Sequence, residues 1–312
     1  MIPSVAVITN RGSTRNLREA AWIESVRADA PDFRHFQMEK VSELPALLKA
    51  CLDADVIVVN GGDGTAGLVF SGLLEAAPAK LPALALLSGG KTNMTAAGWS
   101  LRGDARAAFR SLLRHGREGN LFDHVYEHAV LRLRREDASS PLYGAFFGAA
   151  EFADVIRFCR RHIYPLGLPN AISHALALPL ILGRSLLGKS GGGRVAIGAD
   201  ADNSEDSYFL VAVTALDDLL FGLRPAPVEP PIAGAVHLLG VRRSATAILG
   251  MLPVALNKRF TPGAGRVARQ AHQVTLAFSG AYTLDGELYE ATAARPLILD
   301  AGPKFPFIRL PV

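Results

Sequence analysis

Cysteine is almost absent from this chain of 312 residues: Cys51 and Cys159 stand far apart, and neither has metal-ligand spacing around it. That excludes a disulfide framework and a cysteine-built zinc site, and makes a reducing compartment the default expectation. Aromatic residues reach 7% and charged residues 20%, against 49% hydrophobic residues and a mean hydropathy of +0.22. Such a composition excludes disorder and leans apolar for a globular protein. There is no block of five or six like charges, so the formal net charge of +4 is spread thinly. Nucleic acid gains no support as a partner, whereas a nucleotide or an anionic membrane suits the weak positive balance. The opening residues Met1-Ile2-Pro3-Ser4-Val5 lack the basic region and cleavage pattern of a signal peptide, which predicts a cytoplasmic protein.

What the chain does have is a repeated unit of strand, glycine-rich loop and helix. Its length suggests two domains of ordinary size, or one with a large insertion. Residues 5–9, 55–59 and 84–87 read as short buried strands, and residues 17–26, 41–51, 66–77 and a stretch from Ala105 carrying Phe109, Leu112 and Leu113 read as helices. That alternation predicts an α/β fold, a doubly wound parallel sheet over residues 1–118. The pattern then changes to strands at 128–133, 194–197, 208–214, 274–278, 281–284 and 287–289, predicting a β-rich, β-sandwich-like domain over residues 119–300. Residues 301–312 are read as a tail returning to the first domain. Two apolar segments, 163–187 and 232–256, are predicted to be helical insertions with basic residues at or near their ends.

Three loops follow successive strands: Asn10-Arg11-Gly12-Ser13-Thr14, Gly61-Gly62-Asp63-Gly64-Thr65 and Ser88-Gly89-Gly90-Lys91-Thr92-Asn93. In a parallel sheet they gather at the carboxyl edge, where open α/β folds bind ligands. Glycines let backbone amides approach phosphate oxygens, and a helix N-terminus adds a favourable dipole. Thr65 is placed to cap that helix or to meet a phosphate. Asp63 is an anion in an anion site, so it is expected to orient amides or to hold Mg²⁺ through water. A further stretch, Gly183 to Ser190, fits the letters of a P-loop, but Gly191-Gly192-Gly193 then leads into a strand where a P-loop needs a helix.

Taken with Leu284-Asp285-Gly286-Glu287 near the C-terminus, these motifs resemble the diacylglycerol kinase and sphingosine kinase superfamily, bacterial members included, over nearly the whole chain. Residues 215–225 also look like a segment of some bacterial members. The resemblance implies an NAD-kinase-like nucleotide domain with ATP and Mg²⁺ as cofactors. Binding is then assigned to Asn10, Arg11, Gly12, Ser13, Gly61, Gly62, Asp63, Gly64, Thr65, Gly89, Gly90, Lys91, Thr92 and Asn93, with Asp63 also serving catalysis and the metal. Asp285 or Glu287 becomes the general base that deprotonates an acceptor hydroxyl. Without the resemblance, Asp285-Gly286 is simply a strong hairpin-turn signal. Members of the superfamily usually carry Asn-Glu after the second loop and often Asp after the third; here Ala66-Gly67 and Met94 stand instead. The acceptor is accordingly expected to be ceramide, a sphingoid base or diacylglycerol, in a protein held peripherally at the inner face of an anionic membrane. The apolar segments suit a lid or interfacial element that admits a lipid tail. The rival readings are an NAD kinase and a catalytically silent lipid-binding protein, with a homodimer left open.

Overall fold

Apolar, β-branched runs of six residues bounded by turn formers make good interior strands, and Val5–Asn10 (β1), Val56–Gly61 (β3) and Ala83–Ser88 (β4) are strands buried on both faces. The structure is a computed structural model that describes residues 2–19, 22–27, 33–158, 194–200, 202–219, 222–225 and 232–310. By internal contacts the chain divides into two units, Met1–Val130 with Pro303–Val312, and Leu131–Gly302.

In the first unit a fourth strand, Phe33–Met38 (β2), pairs with β1, giving the parallel order β4-β3-β1-β2. The helices are Asn16–Glu19 (α1), Trp22–Arg27 (α2), Leu44–Lys49 (α3), Asp63–Ala76 (α4), Met94–Trp99 (α5) and Ala105–Glu118 (α6). The helix expected over 41–51 opens instead as a 3₁₀ turn, Val41–Glu43, because Pro45 in the next turn suits only a helix start. That expected over 66–77 begins three residues earlier, at Asp63. Asp104 caps α6 by accepting from the Ala107 amide, and Phe109, Leu112 and Leu113 turn inward. Phe109 meets Phe33 edge-on at 5.2 Å. The C-terminal residues complete this unit: Phe307 pairs with Leu84 of β4, and Phe305 and Phe307 pack on Phe70 at 5.2 and 5.8 Å. The Ser100 hydroxyl donates to the Ile308 carbonyl at 2.8 Å.

Cys51 is fully buried in this unit, and burial pushes its thiol up to about 11. It should stay unmodified by iodoacetamide in the native protein and react once denaturant is added. Peptide mapping will check this, and rapid native alkylation at Cys51 would contradict the burial.

The chain passes between units inside two long strands, Val125–Arg135 (β5) and Leu297–Ile308 (β17). The second unit adds Leu142–Gly144 (β6), Phe146–Ala149 (β7), Arg194–Ala199 (β8), Asp202–Thr214 (β9), Arg224–Pro225 (β10), Val236–Arg242 (β11), Arg259–Phe260 (β12), Arg266–Ala271 (β13), Gln273–Ala277 (β14), Gly280–Leu284 (β15) and Glu287–Ala291 (β16), and the helix Glu151–Phe158 (α7), with two shorter helices after β11. The short β10–β12 pair is parallel, whereas the ladders that link β5 to β6 and join β7, β8, β9, β11, β13, β14, β15 and β16 are antiparallel. Long β9 serves two ladders: residues 202–207 pair with β8, and residues 208–214 pair with β7 and β11. Its core gathers Leu131, Phe147, Tyr208, Val213, Leu238 and Tyr282. Asp300 of β17 accepts from both Arg132 and Arg134 of β5 at 2.7 Å.

The apolar segment 232–256 is not helical throughout. Residues 236–242 form strand β11, and only Ala245–Leu249 and Met251–Asn257 are helices. A short apolar run buried on both faces has no period that separates strand from helix. The segment 163–187, Cys159 and the P-loop-like stretch lie outside the described residues. Among the described residues no helix is long and apolar enough to cross a membrane.

Candidate phosphate and carboxylate sites

Helix α4 begins with Gly62 extended at its N-cap and no side chain capping it. Its first amides are therefore left for another acceptor, at the positive end of a helix of 14 residues. The recess at this helix start holds only ≈ 10 Å³, room for about one water, and Asp63, Ala66, Asn93 and Thr95 line it. The buried Thr95 hydroxyl has no hydrogen-bond partner there. Uncapped amides and an orphan hydroxyl fit a polyanionic ligand such as a nucleotide phosphate.

Hydrogen bonds lace the three loops into one surface. Asp63 is 6% exposed; its Oδ1 accepts from the Thr95 amide at 2.8 Å and its Oδ2 from the Thr92 hydroxyl at 2.5 Å. The carboxylate thus orients the third loop, and each oxygen keeps a lone pair for a water on a cation. Asn93, at φ 52°, accepts from the Gly90 amide at 2.7 Å and donates to the Gly90 carbonyl at 2.9 Å. Asn10 donates to the Thr65 hydroxyl at 2.9 Å and accepts from the Gly12 amide at 2.9 Å. The Ser13 hydroxyl lies 3.5 Å from that of Thr65. Arg11 pairs with Glu39 at 2.8 Å, both half exposed.

Backbones of the second and third loops touch. A Cβ placed on Gly90 would lie 2.5 Å from the Gly62 Cα, a clash no rotamer relieves. Gly90→Ala should cost about 1–3 kcal/mol by overpacking and weaken nucleotide binding. Thermal unfolding and an ATP titration would check it, and wild-type values in both would show that the loops do not need this approach.

Beneath the loops lies a buried polar layer that the motifs do not announce. Asn16 donates to the carbonyls of Asn10 and Asn60 at 2.9 Å each, and Asn60 donates to the Thr9 hydroxyl at 3.3 Å. His35, its side chain 1% exposed, joins Thr9 through Nε2 at 2.9 Å and Glu24 through Nδ1. When Nδ1–H donates to the Glu24 carboxylate, Nε2 is the ring atom placed to accept from the Thr9 hydroxyl. The hydrogen bonds from Arg27 and His35 hold the Glu24 carboxyl below its ordinary value. Polar residues at strand ends, Thr9 and Asn60, were the available sequence signal.

In the second unit, Asp285 and Gly286 join β15 to β16 with φ 49° and 88°, the two positive values of a type I′ turn. Asp285 is 8% exposed; its carboxylate accepts from the Ala145 amide at 3.0 Å and the Phe146 amide at 2.9 Å. The residue thus forms the hairpin turn and at the same time holds a buried carboxylate fixed by two backbone amides. Glu287 is exposed at the start of β16. Tyr289, two residues on, stacks on Tyr282 at 5.2 Å. Burial first, then the charges of Glu287 and Asp285, push its phenol up, so it stays a neutral hydroxyl near both carboxylates. Among the described residues no group of three or more His, Cys, Asp or Glu could hold a metal ion.

Residues 4–121 match the diacylglycerol kinase catalytic domain family. Among solved structures, a candidate diacylglycerol kinase from Bacillus anthracis strain Sterne aligns with a TM-score of 0.66 at 18% identity, over 99% of this chain and 98% of that one. A further structure, of a diacylglycerol kinase from the same organism, aligns with a TM-score of 0.63 at 17% identity, over 99% and 97% of the two chains. Identities this low speak for the fold, and it is the expected mixed α/β fold with a parallel sheet. No curated protein matches the chain.

Proposed function

We propose that the chain is a lipid kinase that moves the γ-phosphate of ATP onto a hydroxyl of a membrane lipid, a reading supported by the match of residues 4–121 to the diacylglycerol kinase catalytic domain family. The observation that carries this reading is the uncapped start of α4, with the loops after β1, β3 and β4 tied around it. Bound ATP supplies the phosphoryl group and Mg²⁺ screens its charge. The α4 amides, with Asn10, Ser13 and Thr65, receive the phosphates. Asp63 holds the third loop and would meet Mg²⁺ through a water. Asp285 or Glu287 accepts the proton of the attacking hydroxyl, Asp285 already oriented by the Ala145 and Phe146 amides. Ala66, 3% exposed, lines the recess with a methyl group where relatives usually place an amide, which favours ceramide slightly over diacylglycerol.

On this reading the protein is cytoplasmic and works at the inner face of the membrane. The test is labelled ATP and Mg²⁺ with a panel of ceramide, sphingoid base, diacylglycerol and NAD, products resolved by headgroup and backbone. Transfer to a lipid is expected. Transfer to NAD alone would make the protein an NAD kinase, and no lipid-dependent ATP consumption would make it a silent binder.

A further inference from the structure

The helices Ala245–Leu249 and Met251–Asn257 turn leucines outward. Leu249, Leu252 and Leu256 are 69%, 66% and 76% exposed, while Ala247, Ile248 and Val254 are buried beneath them. Gly250 between the helices keeps a right-handed helical conformation, so the 3- and 4-residue spacings put all three leucines on one face. Soluble helices turn polar residues outward at such positions. Ser244 caps the first helix, and Arg266 donates to the Gly250 carbonyl at 2.7 Å, so the arrangement is tied down rather than frayed.

Charge within the chain segment that carries this face has one sign, with an ion pair from outside it, Arg224 with Asp218, next to Arg259. Residues 230–284 contain Arg242, Arg243, Lys258, Arg259, Arg266 and Arg269 and no Asp or Glu. Arg242, Arg243 and Arg269 pair with Asp206, Glu151 and Asp202. Lys258, Arg259 and Arg266 border the leucine face, and among the described residues none of these three pairs with a carboxylate. Arg259 and Arg266 also line a groove of ≈ 460 Å³ with Pro253 and Val254.

We infer that this leucine face, ringed by Lys258, Arg259 and Arg266, is the surface by which the protein docks on an anionic lipid bilayer. Apolar side chains at the acyl boundary with cations at headgroup level is the arrangement of an interfacial helix. A second copy is a poor occupant, since a two-fold contact would bring the same cations together. The inference rests on the lipid-kinase reading only for the choice of a bilayer as partner.

The experiment is co-sedimentation with phosphatidylcholine vesicles, with and without phosphatidylglycerol. It uses wild type, a Leu249→Ser/Leu252→Ser/Leu256→Ser variant and a Lys258→Glu/Arg259→Glu variant. Wild type should bind the anionic vesicles and release partly at high salt. The serine variant should lower the bound-to-free ratio at least about tenfold. The charge variant should lose about fivefold or more per charge on anionic vesicles only. Both should keep wild-type activity on acceptor dispersed in detergent micelles. Wild-type partition of the serine variant, or no wild-type recruitment by anionic vesicles, overturns the inference, as does a change from dimer to monomer without loss of partition. Because partition is read without turnover, a protein that docks but transfers no phosphate would fail the functional reading and leave docking standing.

Discussion

Asp63→Asn should lower phosphoryl transfer about 10²- to 10³-fold, the usual effect of removing one group aimed at transition-state charge. The substitution keeps the shape of the side chain. Its oxygen can still accept from the Thr95 amide, and the Thr92 hydroxyl can reverse its role and accept from the new amide. Loop geometry and thermal midpoint should therefore change little, while the charge proposed to reach a cation through water is gone. Single-turnover rates over a range of Mg²⁺ concentrations read this directly. A fully active Asp63→Asn protein would confine the residue to tying α4 to the third loop.

The two carboxylates of the β15–β16 turn should separate by what each substitution does to the fold. Replacing the general base lowers the chemical step by roughly 10² to 10⁴. Glu287→Gln changes an exposed side chain, so its thermal midpoint should match wild type, and a loss of rate there would be a loss of chemistry. Asp285→Asn is different: the Ala145 amide donates to both carboxylate oxygens, so in either amide orientation the new NH₂ group faces that donor, even where the remaining oxygen still accepts from the Phe146 amide. A destabilisation of about 1–3 kcal/mol is expected from that mismatch, although asparagine tolerates the positive φ. If both variants keep wild-type rates on micellar acceptor, the turn is structural only and the base lies elsewhere.

How far the sequence disclosed this arrangement depends on whether an element owes its form to local pattern or to what it meets. Strands β1, β3 and β4 were legible because each is an apolar run ending in a glycine-rich or asparagine turn. The motif after β3 was legible as a glycine-rich turn leading into a helix. Less visible was that Asp63, Gly64 and Thr65 already belong to α4, since a helix start without a side-chain cap resembles a loop. Strand β2, Phe-Arg-His-Phe-Gln-Met, has no clean alternation, and what makes it a strand is pairing with β1 along its length. Strand β11 hid inside an apolar segment whose neighbours are helices. Asn16, Asn60, Thr9 and His35 escaped notice for another reason. Their partners lie 6 to 51 residues away, and no spacing rule connects them.

The return of residues 303–310 to the first unit bears on how the protein is made. Strand β4 waits for Phe307, and the cluster of Phe70 and Trp99 waits for Phe305 and Phe307. During synthesis those residues leave the ribosome only after the 172 residues of the second unit, 131 to 302, have been added. At ordinary rates of elongation that delay is roughly 10–30 s. The half that appears first is therefore the half that closes last, and a chain released early would expose the aromatic cluster of its own first unit to chaperones and proteases.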